Sequence, residues 1–120
     1  MKKLTKAEEQ IMQALWQIER GFANDIMEAL PSPKPAYNTA LTVVRILERK
    51  GFVGYEVFGK SHRYYPVVSK EDYSKTLLKD VAVNYFDSSF KNIVSFFADN
   101  KNITLKDLEE IQEIIRKKKS

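Results

Sequence analysis

The side chains best suited to contact a nucleic acid lie on a predicted helix between Tyr37 and Gly51. One side of this helix is apolar at helical spacing and is formed by Ala40, Val43, Val44 and Leu47. The opposite side carries two guanidinium groups and two short hydrogen-bonding groups, from Asn38, Thr42, Arg45 and Arg49. A solvated helix usually mixes Glu and Lys on its outer face, whereas Arg, Thr and Asn contact phosphates and base edges in DNA grooves. The pattern therefore favours a helix that packs on a core and presents a DNA-contacting face.

The polar face divides into candidates for base contacts and candidates for backbone contacts. Thr42 and Arg45 are the candidates for base contacts, because an arginine fork fits the N7 and O6 acceptors of guanine and a threonine methyl fits thymine. The candidates for contacts with the DNA backbone are Asn38, Thr39 and Arg49. The first two lie at the helix N-terminus, where free amides attract anions. The alternative is a solvated helix face on which Arg45 pairs with Glu48.

A basic, aromatic hairpin follows this helix. Residues 52–57 and 62–67 read as two strands, and residues 58–61 read as the turn between them. Further candidates for backbone contacts in this wing, at about 53–67, are Lys60, Ser61 and Arg63, and a solvated hairpin tip explains them equally well. His62 is the only histidine and the chain has no cysteine, which argues against a metal site or a catalytic role and favours a structural one.

Other predicted helices lie on both sides of this helix and hairpin. Thr5 and Glu8 have the spacing of a capping box, which predicts the start of a first helix. Its expected buried stripe consists of Ala7, Ile11, Leu15 and Ile18. A second helix at about 23–30 ends at a proline-rich segment, and three more helices follow residue 69. The order predicts a mainly α protein with a small β-hairpin: a winged helix-turn-helix DNA-binding domain at 1–68 and a helical dimerisation region at 69–120.

The C-terminal helices carry apolar stripes that they cannot bury alone. The residues expected to need a partner surface are Phe86, Phe90, Ile93, Val94, Phe97, Leu108, Ile111 and Ile115. The simplest partner is a second copy of the chain, which predicts a homodimer. The alternative for the stripe from Phe86 to Phe97 is a ligand pocket.

Composition narrows the classes of function. The net charge is +4, and residues 29–67 hold six basic and two acidic residues, a local excess suited to a polyanion. No apolar run approaches the ~20 residues of a membrane helix, and no signal peptide is apparent. The absence of cysteine fits a reducing cytoplasm. No catalytic set, phosphate loop or metal-spaced cluster occurs, so we expect no enzyme activity and no cofactor.

Three segments of the chain resemble the penicillinase repressors of the BlaI/MecI/CopY family. The first is Leu4-Thr5-x-x-Glu8-x-x-Ile11-Met12-x-x-Leu15-Trp16. The second is Asn38-Thr39-x-x-Thr42-x-x-x-x-Leu47-x-x-Lys50-Gly51-Phe52, similar to their recognition helix, and the third is Tyr64-Tyr65-Pro66, similar to the end of their wing. The order and spacing of the three, rather than any one of them, carry the resemblance, which covers nearly the whole chain.

The resemblance implies a cytoplasmic, homodimeric repressor that binds palindromic operators upstream of resistance genes and often upstream of its own operon. In the β-lactam branch, a membrane sensor triggers cleavage of the repressor at an Asn-Phe step in the tail helices. The matching place here is Phe96-Phe97, where the Asn is missing, so either the sensor-linked protease differs or this repressor is not relieved by cleavage. The copper branch senses metal through cysteines, which this chain lacks.

Taken together, the sequence predicts a homodimeric, sequence-specific transcriptional repressor. It would bind a palindromic operator through the helix at about 38–50 and the wing at about 53–67. One alternative is a winged-helix module that binds protein and lacks specific DNA binding. Another is a regulator that responds to a small molecule bound under the tail helices.

Overall fold

The computed structural model describes residues 3–119. The elements are α1 (Lys6–Ile18), α2 (Ala23–Ala29), α3 (Tyr37–Arg49), β1 (Val53–Phe58), β2 (Ser61–Pro66), α4 (Lys70–Tyr85), α5 (Phe90–Asp99) and α6 (Leu105–Lys119). These residues fall into two compact units, the first ending at Thr76 and the second beginning at Leu77. The order confirms the predicted mainly α fold with a winged helix-turn-helix, and α3 is the predicted recognition helix.

The core of the first unit lies between α1, α2 and α3. Its most deeply buried side chains are Met12, Leu15, Ile26, Val44 and Leu47. The expected stripe on α1 is partly wrong, because Ala7 is exposed and Ile18 is only half-buried, whereas Met12 and Ala14 are buried. The inward position in the first turn belongs to Glu8, which completes the predicted capping box with Thr5. A carboxylate therefore replaces an apolar side chain at the end of the core.

The wing is an antiparallel pair of strands. Tyr55 lies opposite Tyr64, and Val57 lies opposite His62. The turn consists of Gly59 and Lys60 alone, shorter than the predicted 58–61, because Phe58 pairs with Ser61. Gly59 has a φ of 61°, which glycine adopts without strain. A short bridge extends the sheet, because the backbones of Gly21 and Tyr64 exchange two hydrogen bonds of 3.0 and 2.8 Å. This bridge joins the wing to the segment between α1 and α2.

The first turn of α4 is tied to the winged helix by polar contacts of two aromatic side chains. The hydroxyl of Tyr73 accepts a hydrogen bond of 2.8 Å from the backbone amide of Leu4, and both residues are buried. The indole of Trp16 donates to the carbonyl of Val68 at 2.9 Å. Phe52 packs edge-on against the Tyr73 ring. Tyr73 therefore connects the start of α4 with the chain before α1 and with the residue after Gly51.

The second unit leaves most of its apolar side chains exposed. Ala82 is the one apolar residue buried in the part of this unit that the structure describes. Large exposed apolar residues on α5 and α6 are Phe90, Phe96, Phe97, Leu105, Ile111, Ile114 and Ile115. Side chains cap both helices, Ser89 for α5 and Thr104 with Asp107 for α6. The helices thus have well-formed ends but share little buried core.

No helix in residues 3–119 combines the length and the apolar composition required to cross a membrane.

Candidate nucleic-acid interface

Helix α3 separates its two sides as the sequence predicts. Ala40, Val44 and Leu47 are buried, but Val43, also predicted in the apolar stripe, is only half-buried at its edge; the polar stripe of Asn38, Thr42, Arg45 and Arg49 is exposed. Gly51, with a φ of 83°, closes the helix in the left-handed conformation. The core contacts of the apolar side therefore hold the polar side toward solvent.

The two arginines of this stripe have no charged partner. Within residues 3–119, neither the guanidinium of Arg45 nor that of Arg49 forms a hydrogen bond or an ion pair. The alternative pairing of Arg45 with Glu48 does not occur. Unpaired guanidinium groups on a packed helix keep their donors available to phosphate or guanine acceptors.

The N-terminal half of α3 presents further groups suited to DNA. Its N-cap is Ala36, which provides no side-chain cap, and its first turn contains no acidic residue. The amides of this turn and the positive end of the helix dipole are consequently left for an anion. Farther along, the hydroxyl of Thr42 donates to the carbonyl of Asn38 at 2.9 Å. This bond occupies the hydroxyl proton and leaves the methyl group for an apolar contact.

A cleft of about 270 Å³ lies between α3 and the wing. Its polar lining comes from Asn24, Tyr37, Arg45, Lys60, Ser61, His62 and Tyr64. A second cleft, of about 360 Å³, is lined by Arg45, Glu48, Arg49, His62 and Tyr64. Burial, followed by the nearby Glu48 carboxylate, raises the pKa of the Tyr64 hydroxyl and keeps it neutral. The predicted base reader Arg45 therefore shares one surface with the predicted wing contacts Lys60 and Ser61.

The opposite face of the wing is occupied by an internal charge network. Oε1 of Glu56 lies 2.7 Å from a nitrogen of Arg20 and 3.1 Å from a nitrogen of Arg63. The hydrogen bond from Arg63, with the charges of Arg63 and Arg20, holds the pKa of the Glu56 carboxyl below its ordinary value. Arg63 also lies over the Phe58 ring, 4.7 Å from its centroid. These contacts favour a structural role for Arg63, and its contact with the DNA backbone stays a prediction.

Residues 4–117 match the model of the family described as penicillinase repressor. The chain belongs to this family. Its members are transcriptional repressors and not enzymes, so the protein is a DNA-binding transcriptional repressor, as the sequence predicts.

Curated relatives agree with this assignment. The chain is 25% identical over 116 residues to the methicillin resistance regulatory protein MecI of Staphylococcus aureus strain N315, covering 96% of this chain and 94% of the relative. It is 26% identical over 120 residues to the MecI protein of Mammaliicoccus sciuri, with the same coverage.

Among solved structures, the fold is similar to that of BpsR from Bordetella bronchiseptica, a protein whose DNA binding is regulated by 6-hydroxynicotinic acid. The TM-score is 0.50 and the sequence identity is 14%, and the similarity covers 98% of this chain and 76% of BpsR. At this identity the similarity concerns the fold alone.

Sequence reasoning missed two features of this surface. His62, interpreted as structural, is exposed and lines both clefts. Lys50, which belongs to the family motif but was assigned no role, forms an ion pair with Glu8 of α1. The alternation of residues along β2 could have predicted that His62 lies on the same face as Tyr64. By contrast, no sequence signal predicts the pairing of Lys50 with Glu8, 42 positions away. Within residues 3–119, no group of three or more His, Asp or Glu side chains could hold a metal ion.

Proposed function

We propose that the protein is a homodimeric repressor that binds a palindromic operator through α3 and the wing. The observation that carries this proposal is the exposed face of α3, on which Arg45 and Arg49 have no charged partner and stand beside Lys60 and His62. A basic surface of this kind, on a rigid helix of a winged helix-turn-helix, suits the major groove and the adjacent backbone.

The proposed roles follow the chemistry of each side chain. Arg45 reads a guanine edge through its fork, and Thr42 directs its methyl to thymine, because its hydroxyl is bonded within the helix. The proposed contacts with phosphates come from Asn38, Thr39, Arg49, Lys60 and Ser61. Asn38 and Thr39 lie in the uncapped first turn of α3, where the free backbone amides attract an anion.

Dimerisation is proposed to occur through the second unit. Its exposed apolar side chains include Phe97, Ile111 and Ile115, which are 42%, 36% and 51% exposed in the single chain. Large apolar side chains exposed in this number are unfavourable in water, and a second copy would cover them with a self-complementary surface. The remaining members of the proposed interface are Phe86, Phe90, Ile93, Val94 and Leu108. Two copies place two α3 helices in successive major grooves, about one helical turn apart.

Control of antibiotic-resistance genes is proposed from the relatives, which are named as methicillin resistance regulators. A sensor-linked protease that cuts at Phe96-Phe97 stays part of this proposal. Both residues lie inside α5, at 49% and 42% exposure, so cleavage there would require local unwinding of the helix. Since its target is DNA and its relatives are bacterial proteins, we propose that the protein acts in the cytoplasm.

The test measures oligomeric state and operator geometry together. Sedimentation equilibrium gives the mass in solution, and selection of bound fragments from random DNA gives the preferred site. The proposal predicts a dimer and a two-fold symmetric site, with affinity lost when about 5 base pairs are inserted between the half-sites, because the second helix then faces the wrong side of the duplex. A protein-binding module would instead select no sequence, and a monomer on a single half-site would tolerate the insertion.

A further inference from the structure

His62 occupies a central position on the surface that faces the proposed operator. It is exposed, it lies on β2 next to the turn, and it lines both clefts between α3 and the wing. Within residues 3–119, no group forms a hydrogen bond or an ion pair with either nitrogen of its ring. Its polar atoms are therefore available to a ligand in the clefts.

The orientation of this ring is fixed by aromatic neighbours. Its centroid lies 4.2 Å from that of Tyr55, and the two ring planes differ by 9°, which is a stacked arrangement. The Tyr64 ring packs against it edge-on, with centroids 6.1 Å apart. Because the neighbouring rings fix the imidazole plane, it loses little side-chain entropy when a ligand binds its nitrogens.

The charges around the imidazole suit an anion. Arg45 and Arg49 on α3 and Lys60 in the turn line the clefts with His62, and Glu48 on α3 is the one carboxylate among the lining residues. The other titratable groups that line the clefts are the hydroxyls of Tyr37 and Tyr64, and Tyr55 lies behind the ring. Three cations against one carboxylate favour a phosphate oxygen at this place.

We propose that His62 is a phosphate-binding residue of the DNA interface, held in position by Tyr55, and that its protonated form adds a contact that strengthens operator binding as the pH falls. This inference rests on the proposed function. Histidine is the side chain whose charge normally changes between pH 5 and 8. A neutral imidazole donates one hydrogen bond to the phosphate, whereas an imidazolium adds a full positive charge and displaces a counterion.

The first test measures the dependence of operator affinity on salt, at pH 6 and at pH 8. For each phosphate neutralised, the slope of log affinity against log salt changes by about 0.9. We expect the wild-type slope to be steeper at pH 6 by up to about 1.8 for a dimer, one contact from each protomer. In His62→Phe, which keeps the aromatic stack on Tyr55 but has no ring nitrogens, the two slopes should coincide. In Lys60→Ala, the matched control, the slope should be shallower at both pH values, with the pH difference retained.

A second measurement needs no substitution. His62 is the only histidine in the chain, so the imidazole signals in a proton NMR spectrum of the untagged protein belong to it. Binding to a phosphate favours the imidazolium, so we expect the midpoint of its titration to move to higher pH when operator DNA is added. His62→Gln, a neutral polar variant, serves as a second substitution if His62→Phe lowers the melting temperature.

The outcomes separate this inference from the proposed function. If the wild-type protein shows no preference for an operator over scrambled DNA, the proposed function fails. If it prefers the operator but its salt slope does not change with pH, or the change persists in the His62 variants, the proposed function stands and the role of His62 is refuted. An NMR midpoint that does not move on DNA binding refutes it as well.

Discussion

Nζ of Lys50, the residue that follows α3, lies 2.7 Å from Oε2 of Glu8 in the first turn of α1. The Glu8 side chain is 4% exposed, and its other carboxylate oxygen accepts a hydrogen bond from the amide of Thr5 at 2.8 Å. One buried carboxylate therefore both caps α1 and fixes the C-terminal end of α3, the proposed recognition helix. The position of α3 on the core depends on this contact as well as on apolar packing.

Replacing Glu8 should lower stability in a pH-dependent way. Burial opposes ionisation of Glu8, but the hydrogen bonds from Lys50 and Thr5 outweigh it, and the pKa of the carboxyl is lowered. The stabilisation is therefore complete above the pKa of an unfolded glutamate, about 4.3, and is lost as the pH falls through the lowered value in the folded protein. We expect Glu8→Gln to reduce the free energy of unfolding at pH 7 by about 1.5–3 kcal/mol.

Denaturant unfolding at a series of pH values checks this prediction. The difference in the free energy of unfolding between wild type and Glu8→Gln should shrink as the pH falls below about 4. Glu71→Gln is the matched control, because the Glu71 side chain is 80% exposed and lies 3.7 Å from Lys75. It should change stability by less than about 0.5 kcal/mol. A constant difference between Glu8→Gln and wild type at every pH would contradict the assigned role of the carboxylate.

Removing a single hydroxyl at Tyr73 should destabilise the first unit. In Tyr73→Phe, the buried amide of Leu4 loses its hydrogen-bond acceptor, which costs about 1–3 kcal/mol. The same substitution at Tyr85, which is 78% exposed on the same helix, should have almost no effect. Thermal unfolding of the two variants provides the comparison. Equal melting temperatures of Tyr73→Phe and Tyr85→Phe would mean that the Tyr73 hydroxyl contributes nothing to stability.

The two unpaired arginines of α3 should differ in what they contribute to DNA binding. Arg45→Ala should relax the base preference at one position of each half-site, with about 1–3 kcal/mol of discrimination lost there. Arg49→Ala should weaken binding to all sequences alike and make the salt slope shallower by about one unit per protomer. Competition assays with operators substituted at each position distinguish the two effects. A uniform loss of affinity in Arg45→Ala would assign it to phosphate instead.

A charge placed on the exposed apolar face of α5 should disrupt self-association. Phe97→Asp would bury a carboxylate in the proposed interface, and we expect the dimer dissociation constant to rise at least about 100-fold. Ser95→Asp introduces the same charge at an exposed polar position of α5 and should leave the dimer intact. Sedimentation equilibrium of both variants measures the dimer dissociation constant. An unchanged mass for Phe97→Asp would place the interface elsewhere.

The features that sequence predicts best here are those with local causes. The spacing of Thr5 and Glu8 predicts a capping box, Gly51 predicts the end of α3, and the period of Ala40, Val44 and Leu47 predicts its buried side. The features that it misses depend on tertiary contacts, such as the bridge between Gly21 and Tyr64.

His62 shows the same limit at the interface. Its lack of potential metal-binding neighbours in the sequence predicts that it is not a metal ligand. Its stacking on Tyr55 and its place opposite Arg45 appear only when the hairpin pairs and packs beside α3. Arg63 lies on the other face of β2, where the pairing of the two strands brings it within ion-pair distance of Glu56.

The central claim is tested most directly by binding of the purified protein to the DNA upstream of its own gene. A scrambled fragment of equal length and composition is the competitor, and affinities are measured at several salt concentrations. We expect a preference of at least about 1,000-fold for the upstream DNA together with a steep salt slope. Equal, weak binding to both fragments, with no preferred site in a selection from genomic fragments, would contradict specific operator recognition by α3 and the wing.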